Sequence, residues 1–147
     1  MIKEFQEEFR WLSNFTPCHI HLDGRDFSSV EHAYMSAKSD DTNWKDFCET
    51  ERSAGLVKKR SRNIQLVDNW EDIKVDVMRE CISQKFENPS LKEKLLSTGN
   101  IHIQEGNMWN DKFWGVCLKT NKGQNILGKL IMEKRTQLLG ENNEIQR

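Results

Sequence analysis

The chain has 147 residues, of which 36% are hydrophobic and 31% are charged, and its formal net charge at pH 7 is −1. This length is that of one domain able to bury its own core, and the near-neutral charge excludes a broad basic face for duplex DNA. The four cysteines lie far apart without a CxxC pair, so we expect free thiols and neither a zinc site nor a disulfide framework. The chain shows no apolar stretch typical of a signal peptide or a membrane span, which predicts a cytoplasmic protein without membrane contact.

Hydrophobic periodicity, together with turn and capping residues, predicts a mainly helical α+β fold with short strands. The predicted elements, in chain order, are a hairpin over 20–22 and 25–27, helices over about 28–38, 42–51, 53–60, 68–86 and 89–97, a strand over 101–105 and a last helix over 125–139. We expect one domain over residues 1–140 and a polar C-terminal tail over residues 141–147.

Short sequence signals indicate where these elements begin. Asp23-Gly24 is typical of a two-residue hairpin turn. Asp68, with Glu71 three residues later, predicts a capping box at the start of the longest helix, and Pro89 fits the first turn of the next one. The inward stripe predicted for the longest helix comprises Ile73, Val77 and Cys81, or alternatively Met78 and Ile82, followed by Lys85-Phe86.

Glu31 and Lys38 are the first candidates for chemistry. They are seven residues apart, about two turns of the predicted helix, and so share one side of it at the edge of the apolar stripe. An acid and an amine at the margin of a core can both have shifted pKa values, which favours an acid–base or nucleophile pair. The alternative is a solvated flank, whose stems pack on the core while the charged heads stay in water. The stripe itself comprises Val30, Ala33, Tyr34 and Ala37.

A loop over residues 108–115 carries three large aromatic side chains and one acid, Asp111. The rings either cap the core or line a pocket, where they could stack on planar bases, and Asp111 is either part of that wall or a turn residue.

Two further segments leave alternatives open. Asn14 could bond a ligand or form a turn, and the basic run 58–62 is either a solvated helix end or a clamp for a pyrophosphate.

In their order and spacing these segments resemble the NADAR family from about residue 9 to residue 139. The matching motifs are Leu12-Ser13-Asn14-Phe15, Asp23-Gly24 with Phe27, Ser29-Val30-Glu31-His32-Ala33-Tyr34 with Ala37-Lys38, Asn69-Trp70 with Lys74 and Val77-Met78, Lys85-Phe86, Leu95-Leu96, Asp111 with Trp114-Gly115, and Gly123 with Asn125, Leu127-Gly128 and Met132. The chain departs from the family pattern at Met35, Ser61 and Val116-Cys117.

The resemblance implies an N-glycosidase or ADP-ribosyl hydrolase that needs no metal and no other cofactor. Two substrate classes are linked to the family, and in both the bond cleaved joins ribose C1′ to a nitrogen. We favour removal of ADP-ribose from guanine in DNA, with ADP-ribosylated nucleic acid or an ADP-ribose-like nucleotide as the partner. The alternative substrates are phosphorylated ribosylamino-pyrimidine intermediates of riboflavin biosynthesis.

By the same resemblance, the expected catalytic residues are Lys38, Glu31 and Asp111. Lys38 is expected to form a Schiff base with ribose C1′, while Glu31 moves protons and Asp111 stabilises positive charge or positions water. Direct attack by water, with Lys38 acting only through its charge, is the alternative. The expected substrate-binding residues are Asn14, Phe15, His32, Tyr34, Lys58, Arg62, Trp70, Trp114 and Gly115.

Overall fold

The structure is a computed structural model, and it describes the backbone of residues 1–146 and the side chains of residues 1–142. It has an α+β fold in which helices dominate. The elements, in chain order, are a 3-10 helix (Glu7–Leu12), β1 (Ile20–Leu22), β2 (Arg25–Phe27), α1 (Val30–Ser36), α2 (Thr42–Thr50), α3 (Ala54–Arg60), a second 3-10 helix (Ser61–Asn63), α4 (Trp70–Lys85), α5 (Pro89–Ser97), β3 (Gly106–Asn107), β4 (Val116–Cys117) and α6 (Ile126–Gln146). The chain divides into two compact units, which we call the central unit (residues 14–85) and the terminal unit (residues 1–13 with the segment from residue 86 onward).

β1 and β2 form the predicted hairpin in the central unit. The two strands pair antiparallel, with Ile20 opposite Phe27. Asp23 and Gly24 between them have φ angles of 52° and 75°, as a type I′ turn requires at both of its central positions. Glycine adopts such an angle without strain, and aspartate tolerates it better than most residues. The hairpin prediction is therefore confirmed.

α1 is shorter and more deeply buried than the sequence indicates. Ser29 is its N-cap, and its hydroxyl oxygen accepts the N–H of His32 at 3.1 Å. Every residue of Val30–Ser36 is buried, so the prediction of a single inward stripe was too narrow. The helix ends before Lys38, whose carbonyl accepts the Val67 N–H at 2.8 Å. Lys38 therefore lies in the turn after α1, contrary to the prediction, because a residue distant in sequence takes the acceptor that a further helical turn would use.

α2 and α3 begin at side-chain caps that the sequence supplies. Asp41 Oδ1 accepts the Asn43 N–H at 2.8 Å, and Ser53 Oγ accepts the Leu56 N–H at 3.1 Å. Each cap satisfies a backbone donor that has no partner within its own helix. Both helices lie close to the predicted ranges.

α4 is the longest helix of the central unit, and its start differs from the prediction. It begins at Trp70, and the N–H groups of Asp72 and Ile73 donate to the Asn69 carbonyl at 3.0 and 3.2 Å. These are the first bonds of the helix, so Asn69 rather than the predicted Asp68 occupies the N-cap position. The alternative pair Met78 and Ile82 is buried, together with Cys81 of the first stripe. The buried side chains are Trp70, Met78, Cys81, Ile82 and Lys85.

In the terminal unit, α5 coincides with its prediction and the predicted strand does not form. Asn88 Oδ1 caps α5 by accepting two N–H groups at 3.0 and 3.2 Å, and Pro89 occupies the first turn. Within the predicted strand 101–105 only Ile103 pairs, in an isolated bridge with Ile2. Ile101 stays 45% exposed, so the alternation of apolar residues here does not mark a buried strand face. The short parallel pair of β3 and β4 lies further along the chain.

α6 continues beyond its predicted end at residue 139. The predicted polar tail 141–147 is helical as far as Gln146, and Arg147 lies outside the described residues. Its buried side chains include Leu130, Ile131 and Leu138. No described helix combines the length and apolar character needed to cross a membrane. The division into one domain over 1–140 and a tail stays a prediction.

Candidate active site

Glu31, in the first turn of α1, is a buried carboxylic acid. Its N–H donates to the Asn14 carbonyl at 3.0 Å, and the residue is 6% exposed. Burial raises the pKa of its carboxyl to about 7, although the ammonium groups of Lys58 and Lys38 favour the charged form. An appreciable fraction of Glu31 therefore keeps its proton near neutral pH, as a general acid requires.

Lys38 is the amine that interacts with this acid. Its Nζ lies 5.6 Å from the centre of the Tyr34 ring. Burial lowers the pKa of Lys38, an effect that the charge of Glu31 opposes and the charges of Lys58 and Lys74 reinforce. A lowered pKa enlarges the fraction of neutral amine, which is the nucleophilic form. The two predicted residues are thus brought together, although Lys38 lies beyond the helix that the spacing argument assumed.

Lys58, near the end of α3, supplies positive charge to the pair. Its charge acts on both Glu31 and Lys38, and its Nζ lies 5.9 Å from the centre of the Phe15 ring. Arg62 was predicted as a second phosphate contact. It is exposed in the 3-10 helix after α3, and its charge is not among those that shift the pKa of Glu31 or Lys38. The charge of Lys58 thus acts on the Glu31–Lys38 pair, and Phe15 lies next to Lys58. No comparable interaction supports the predicted role of Arg62.

Trp70 and Lys74 reach the same group from the start of α4. The Trp70 ring packs on Tyr34 with centroids 5.1 Å apart and an interplanar angle of 53°. Lys74 lowers the pKa of Lys38, and its Nζ pairs with Glu71 at 2.5 Å. Lys74 was missed as a site residue. Its spacing of four residues from Trp70 was the available signal, since it places both on one face of a helix.

Asn14 contributes a buried hydrogen-bond acceptor. Its Oδ1 has no hydrogen-bond partner among the residues that the structure describes, whereas its Nδ2 donates to Met78 Sδ at 3.8 Å. A buried polar atom without a partner destabilises a fold by ~1–3 kcal/mol. Because the Asn14 backbone carbonyl also binds Glu31, this free oxygen belongs to the same group and can accept a ligand hydroxyl.

His32, predicted as a substrate contact, uses both ring nitrogens within the protein. Its Nδ1 lies 2.6 Å from Ser29 Oγ and its Nε2 lies 2.8 Å from the Glu51 carbonyl. Burial lowers its pKa, although the hydrogen bond to Glu51 opposes this. These contacts leave no ring nitrogen for a ligand. They do not support the predicted role and instead give His32 the role of fixing the start of α1.

Asp111, Trp114 and Gly115 belong to the terminal unit and are described by their contacts there. Asp111 Oδ1 accepts the N–H groups of Phe113 at 3.1 Å and Trp114 at 3.0 Å, as in an Asx turn. Trp114 is half-buried and packs edge-to-face on Phe113, with centroids 4.9 Å apart. A Cβ at Gly115 would overlap the carbonyl and carboxylate oxygens of Glu105, so glycine alone fits. The hydrogen bonds of Asp111 Oδ1 are those of a turn residue. A catalytic role for Asp111 stays a prediction.

A cavity of about 480 Å³ lies next to the Lys38 backbone in the central unit. One of its lining residues, Val67, is the residue that donates to the Lys38 carbonyl. This volume is within the range of small-molecule sites. The lining residues are Ser39, Asp40, Asp41, Trp44 and residues 63–68. Within the described part of the chain, no three His, Cys, Asp or Glu side chains are grouped as metal ligands would be.

Comparisons with known proteins agree on one family. The NADAR domain pattern matches residues 2–139. The chain is 33% identical over 135 residues to the N-glycosidase YbiA of Escherichia coli, which covers 90% of this chain and 83% of that protein. It is 34% identical over 138 residues to a riboflavin biosynthesis protein of Vibrio vulnificus, covering 92% of this chain but 37% of the relative's length. The NMR structure of Escherichia coli YbiA superposes with a TM-score of 0.83 and 30% identity, over 98% of this chain and 90% of that one.

Proposed function

Because the chain belongs to the NADAR domain family, we propose that it is an N-glycosidase that hydrolyses the bond between ribose C1′ and a base nitrogen. We propose that its substrate is ADP-ribose attached to guanine in DNA. The observation that carries this proposal is the buried Glu31 carboxyl, with a pKa of about 7, in the field of Lys38, whose pKa is lowered. An acid with a raised pKa and an amine with a lowered pKa supply the proton transfers and the nucleophile that cleavage at C1′ requires.

The first step opens the ribose ring. Protonated Glu31 gives its proton to the ring oxygen O4′ as the C1′–O4′ bond breaks. The lone pair of the linking nitrogen forms a double bond to C1′, which creates an open-chain iminium ion. Neutral Lys38 then forms a bond from Nζ to C1′. Burial favours the neutral form of both residues before this step, because a low-dielectric environment disfavours either charge.

The second step releases the base. The Glu31 carboxylate takes a proton from Lys38 Nζ and passes it to the linking nitrogen. The C1′–N bond then breaks, the base leaves, and the Nζ lone pair forms a Schiff base with C1′. Water adds to C1′ and gives a proton to the Glu31 carboxylate, and the remaining hydroxyl proton passes to Nζ as the Nζ–C1′ bond breaks. The aldehyde then closes on O4′ to give ADP-ribose. One water is consumed, and both residues return to their starting forms.

The other residues of the group serve to bind the substrate. Lys58 would hold a phosphate, since its charge acts on both Glu31 and Lys38, and Lys74, which pairs with Glu71, adds a second ammonium group near Lys38. This charge favours a phosphorylated ligand over a neutral sugar, and both candidate substrates are phosphorylated. Asn14 Oδ1 would accept a ribose hydroxyl. In this proposal Asp111 stabilises the charge that develops at C1′, a role that rests on the family resemblance.

A second candidate substrate is a phosphorylated ribosylamino-pyrimidine. It is favoured by one specific observation, the name of the Vibrio vulnificus relative as a riboflavin biosynthesis protein. The bond cleaved and the roles of Glu31 and Lys38 are the same for this substrate. The two candidates differ in the base that leaves and in whether one phosphate or a pyrophosphate is bound.

The experiment that tests the proposal uses a DNA oligonucleotide carrying ADP-ribosylated guanine. We expect the purified wild-type protein to release ADP-ribose and unmodified DNA, and Glu31→Ala and Lys38→Ala to release none. Lys59→Ala, at an exposed lysine next to Lys58, is the matched control and should retain activity. Consumption of the ribosylamino-pyrimidine phosphate without any release from DNA would replace the first substrate by the second.

Borohydride trapping tests the covalent step. Reduction during turnover should attach the ribose chain to Lys38, as peptide mass spectrometry would show. An adduct that persists in Lys38→Ala would contradict the assignment. Turnover by the wild type without any adduct would favour direct attack by water, with Lys38 acting through its charge.

A further inference from the structure

The cavity beside the Lys38 backbone, which we call the acidic cavity, carries charge of the opposite sign to the reacting amine. Three of its lining residues are acids, and none of them is a lysine or an arginine. Lys45 adjoins the lining in sequence, but its Nζ donates to the Ser36 carbonyl at 3.0 Å. Arg62 also adjoins it and is exposed, with no described contact that directs its side chain. A substrate phosphate is therefore disfavoured in this cavity. The acids are Asp40, Asp41 and Asp68.

The acidic cavity offers hydrogen-bonding groups that the fold does not use. The carboxylates of Asp40 and Asp68 form no hydrogen bond and no ion pair with the described residues. Nor is any backbone N–H or C=O of residues 64–66 hydrogen-bonded within the described part of the chain. Ser39 is 3% exposed and accepts the Asp41 N–H at 3.2 Å, while its hydroxyl proton has no acceptor among those residues. These groups are therefore available to a ligand that fills the cavity.

Two apolar side chains give the acidic cavity walls suited to a flat ligand. Trp44 is 8% exposed, and its Nε1 donates to the Met35 carbonyl at 2.8 Å, so its ring is held in place. Leu66 is 47% exposed and lines the same cavity. A planar ring with N–H groups on one edge uses both features, because its faces contact apolar side chains while its edge donates to a carboxylate. Guanine has such an edge, a ring N–H beside an amino group, and one carboxylate can accept both.

The acidic cavity borders the residue that carries the reacting amine. Ser39, in its wall, directly follows Lys38, and the Val67 N–H donates to the Lys38 carbonyl at 2.8 Å. The backbone of Lys38 is thus at the acids, whereas its Nζ feels the charges of Lys58 and Lys74. The bond proposed to break joins a phosphorylated ribose, which ammonium groups attract, to a base rich in N–H donors, which carboxylates attract. Lys38 is therefore bordered by both kinds of group that this substrate needs.

We propose that the acidic cavity is the subsite for the leaving base, where the carboxylate of Asp40 or Asp68 accepts the ring N–H and the amino N–H of guanine. The Ser39 hydroxyl donates to the guanine carbonyl oxygen, which lies next to the ring N–H. The inference rests on the proposed function, since it names the groups that select the base in that reaction. A guanine in duplex DNA reaches such a cavity only outside the base stack, so the subsite takes an unpaired or extruded base.

The test compares GMP with IMP, two nucleotides that differ only in the amino group of the base. In isothermal titration calorimetry the wild type should bind GMP roughly 10- to 100-fold more tightly than IMP, because GMP alone donates that hydrogen bond to a charged acceptor. The shared ribose and phosphate cancel in the ratio of the two Kd values. Either Asp40→Asn or Asp68→Asn should bring this ratio close to one with little change in Kd for IMP. Asp72→Asn, at an exposed aspartate of α4 outside the lining, is the matched control and should keep the preference.

The position of the bound base is tested by NMR. The amide resonances of residues 64–66 should shift on titration with GMP, because these unbonded N–H groups belong to residues that line the cavity. Shifts that leave these three amides unchanged would place the base elsewhere and overturn the subsite. A circular-dichroism melt of each variant shows that a change in Kd does not come from unfolding.

Unmodified nucleotides separate this inference from the proposed function. No binding of GMP, equal Kd values of the wild type for GMP and IMP, or a preference for GMP that survives in both Asp40→Asn and Asp68→Asn would overturn the base subsite, even if ADP-ribose is released from modified DNA. Loss of the preference in one variant, with no release from modified DNA by the wild type, would keep the base subsite and reject the proposed reaction.

Discussion

Replacing Glu31 by glutamine is expected to stabilise the folded protein at alkaline pH while abolishing hydrolysis. The physical reason is that burial raises the pKa of this carboxyl from 4.5 to about 7. Each pH unit between the folded and unfolded pKa values corresponds to ~1.4 kcal/mol, so ionising this group in the folded state costs ~3 kcal/mol. Glutamine has nearly the same shape and carries no charge at any pH, so it avoids that cost.

The sign of the effect follows from where the proton is held. Between pH 4.5 and about 7 the folded protein keeps the Glu31 proton, whereas the unfolded chain has lost it. Since the folded state binds more protons in this window, the free energy of unfolding of the wild type falls as pH rises through it. The stability difference between Glu31→Gln and the wild type should therefore increase by up to ~3 kcal/mol from pH 4.5 to pH 8, with most of the increase by pH 7.

Urea unfolding at a series of pH values from 4.5 to 8, followed by circular dichroism, measures this difference. Glu93→Gln, at an exposed glutamate of α5, is the matched control and should change stability by the same small amount at every pH. Other titrating groups are common to the wild type and the variant, so their contributions cancel in the difference. A difference for Glu31→Gln that stays flat with pH would refute the link between burial and the raised pKa.

Two further predictions concern lysines. Lys58→Met removes a charge that lowers the pKa of Glu31, so that pKa should rise further, and the alkaline limb of the kcat–pH profile should move to higher pH. Lys59→Met is its control, and an unchanged limb would exclude Glu31 as the titrating group. Burial lowers the pKa of Lys85 from 10.5 to about 7, so the folded wild type is penalised progressively as pH falls through this range. Lys85→Met should therefore gain ~5 kcal/mol relative to the wild type between pH 10.5 and pH 6 in urea unfolding, and a pH-independent difference would contradict the shift.

The features that the sequence predicted well are those decided by local chemistry. The Asp23-Gly24 turn and the start of α5 at Pro89 depend on φ preferences, and the structure adds Asn88 as a side-chain acceptor within three residues. Such interactions are readable from spacing alone, because no distant residue competes for them. The start of α1 is a similar case, since the sequence offers Ser28 or Ser29 as the N-cap and the structure shows that it is Ser29.

Two of the predictions that failed are those where a distant residue takes part. Lys38 left the helix because Val67 binds its carbonyl, and that partner could not be identified from periodicity. The start of α4 was misplaced by a single residue, since the Asn69 carbonyl accepts the first helical bonds. The strand over 101–105 had the right alternation, but a strand forms only where a neighbouring segment pairs with it, and Ile103 alone finds a partner.

The candidate site was predictable in part. Glu31 and Lys38 were identified from their place beside an apolar stripe, and the structure supplies the burial that shifts both pKa values. The spacing of Lys74 from Trp70 was a sequence signal, but its effect on the pKa of Lys38 and the unpartnered Oδ1 of Asn14 are properties of the packed structure. The sequence left open whether the rings of the loop 108–115 cap the core or line a pocket, because composition does not distinguish an exposed indole such as Trp109 from a buried one.

The burial of α1 explains why the candidate site and the stability of the fold are in conflict. An acid with the ordinary pKa of 4.5 would be protonated in roughly 0.3% of molecules at pH 7, whereas one with a pKa of about 7 is protonated in about half. The same desolvation that lowers stability by ~3 kcal/mol therefore raises the population of competent acid roughly 150-fold. A half-exposed Glu31 on a conventional amphipathic helix would avoid the cost and lose the acid. The fully buried α1, which the single-stripe prediction missed, is thus the structural feature that keeps Glu31 partly protonated at neutral pH.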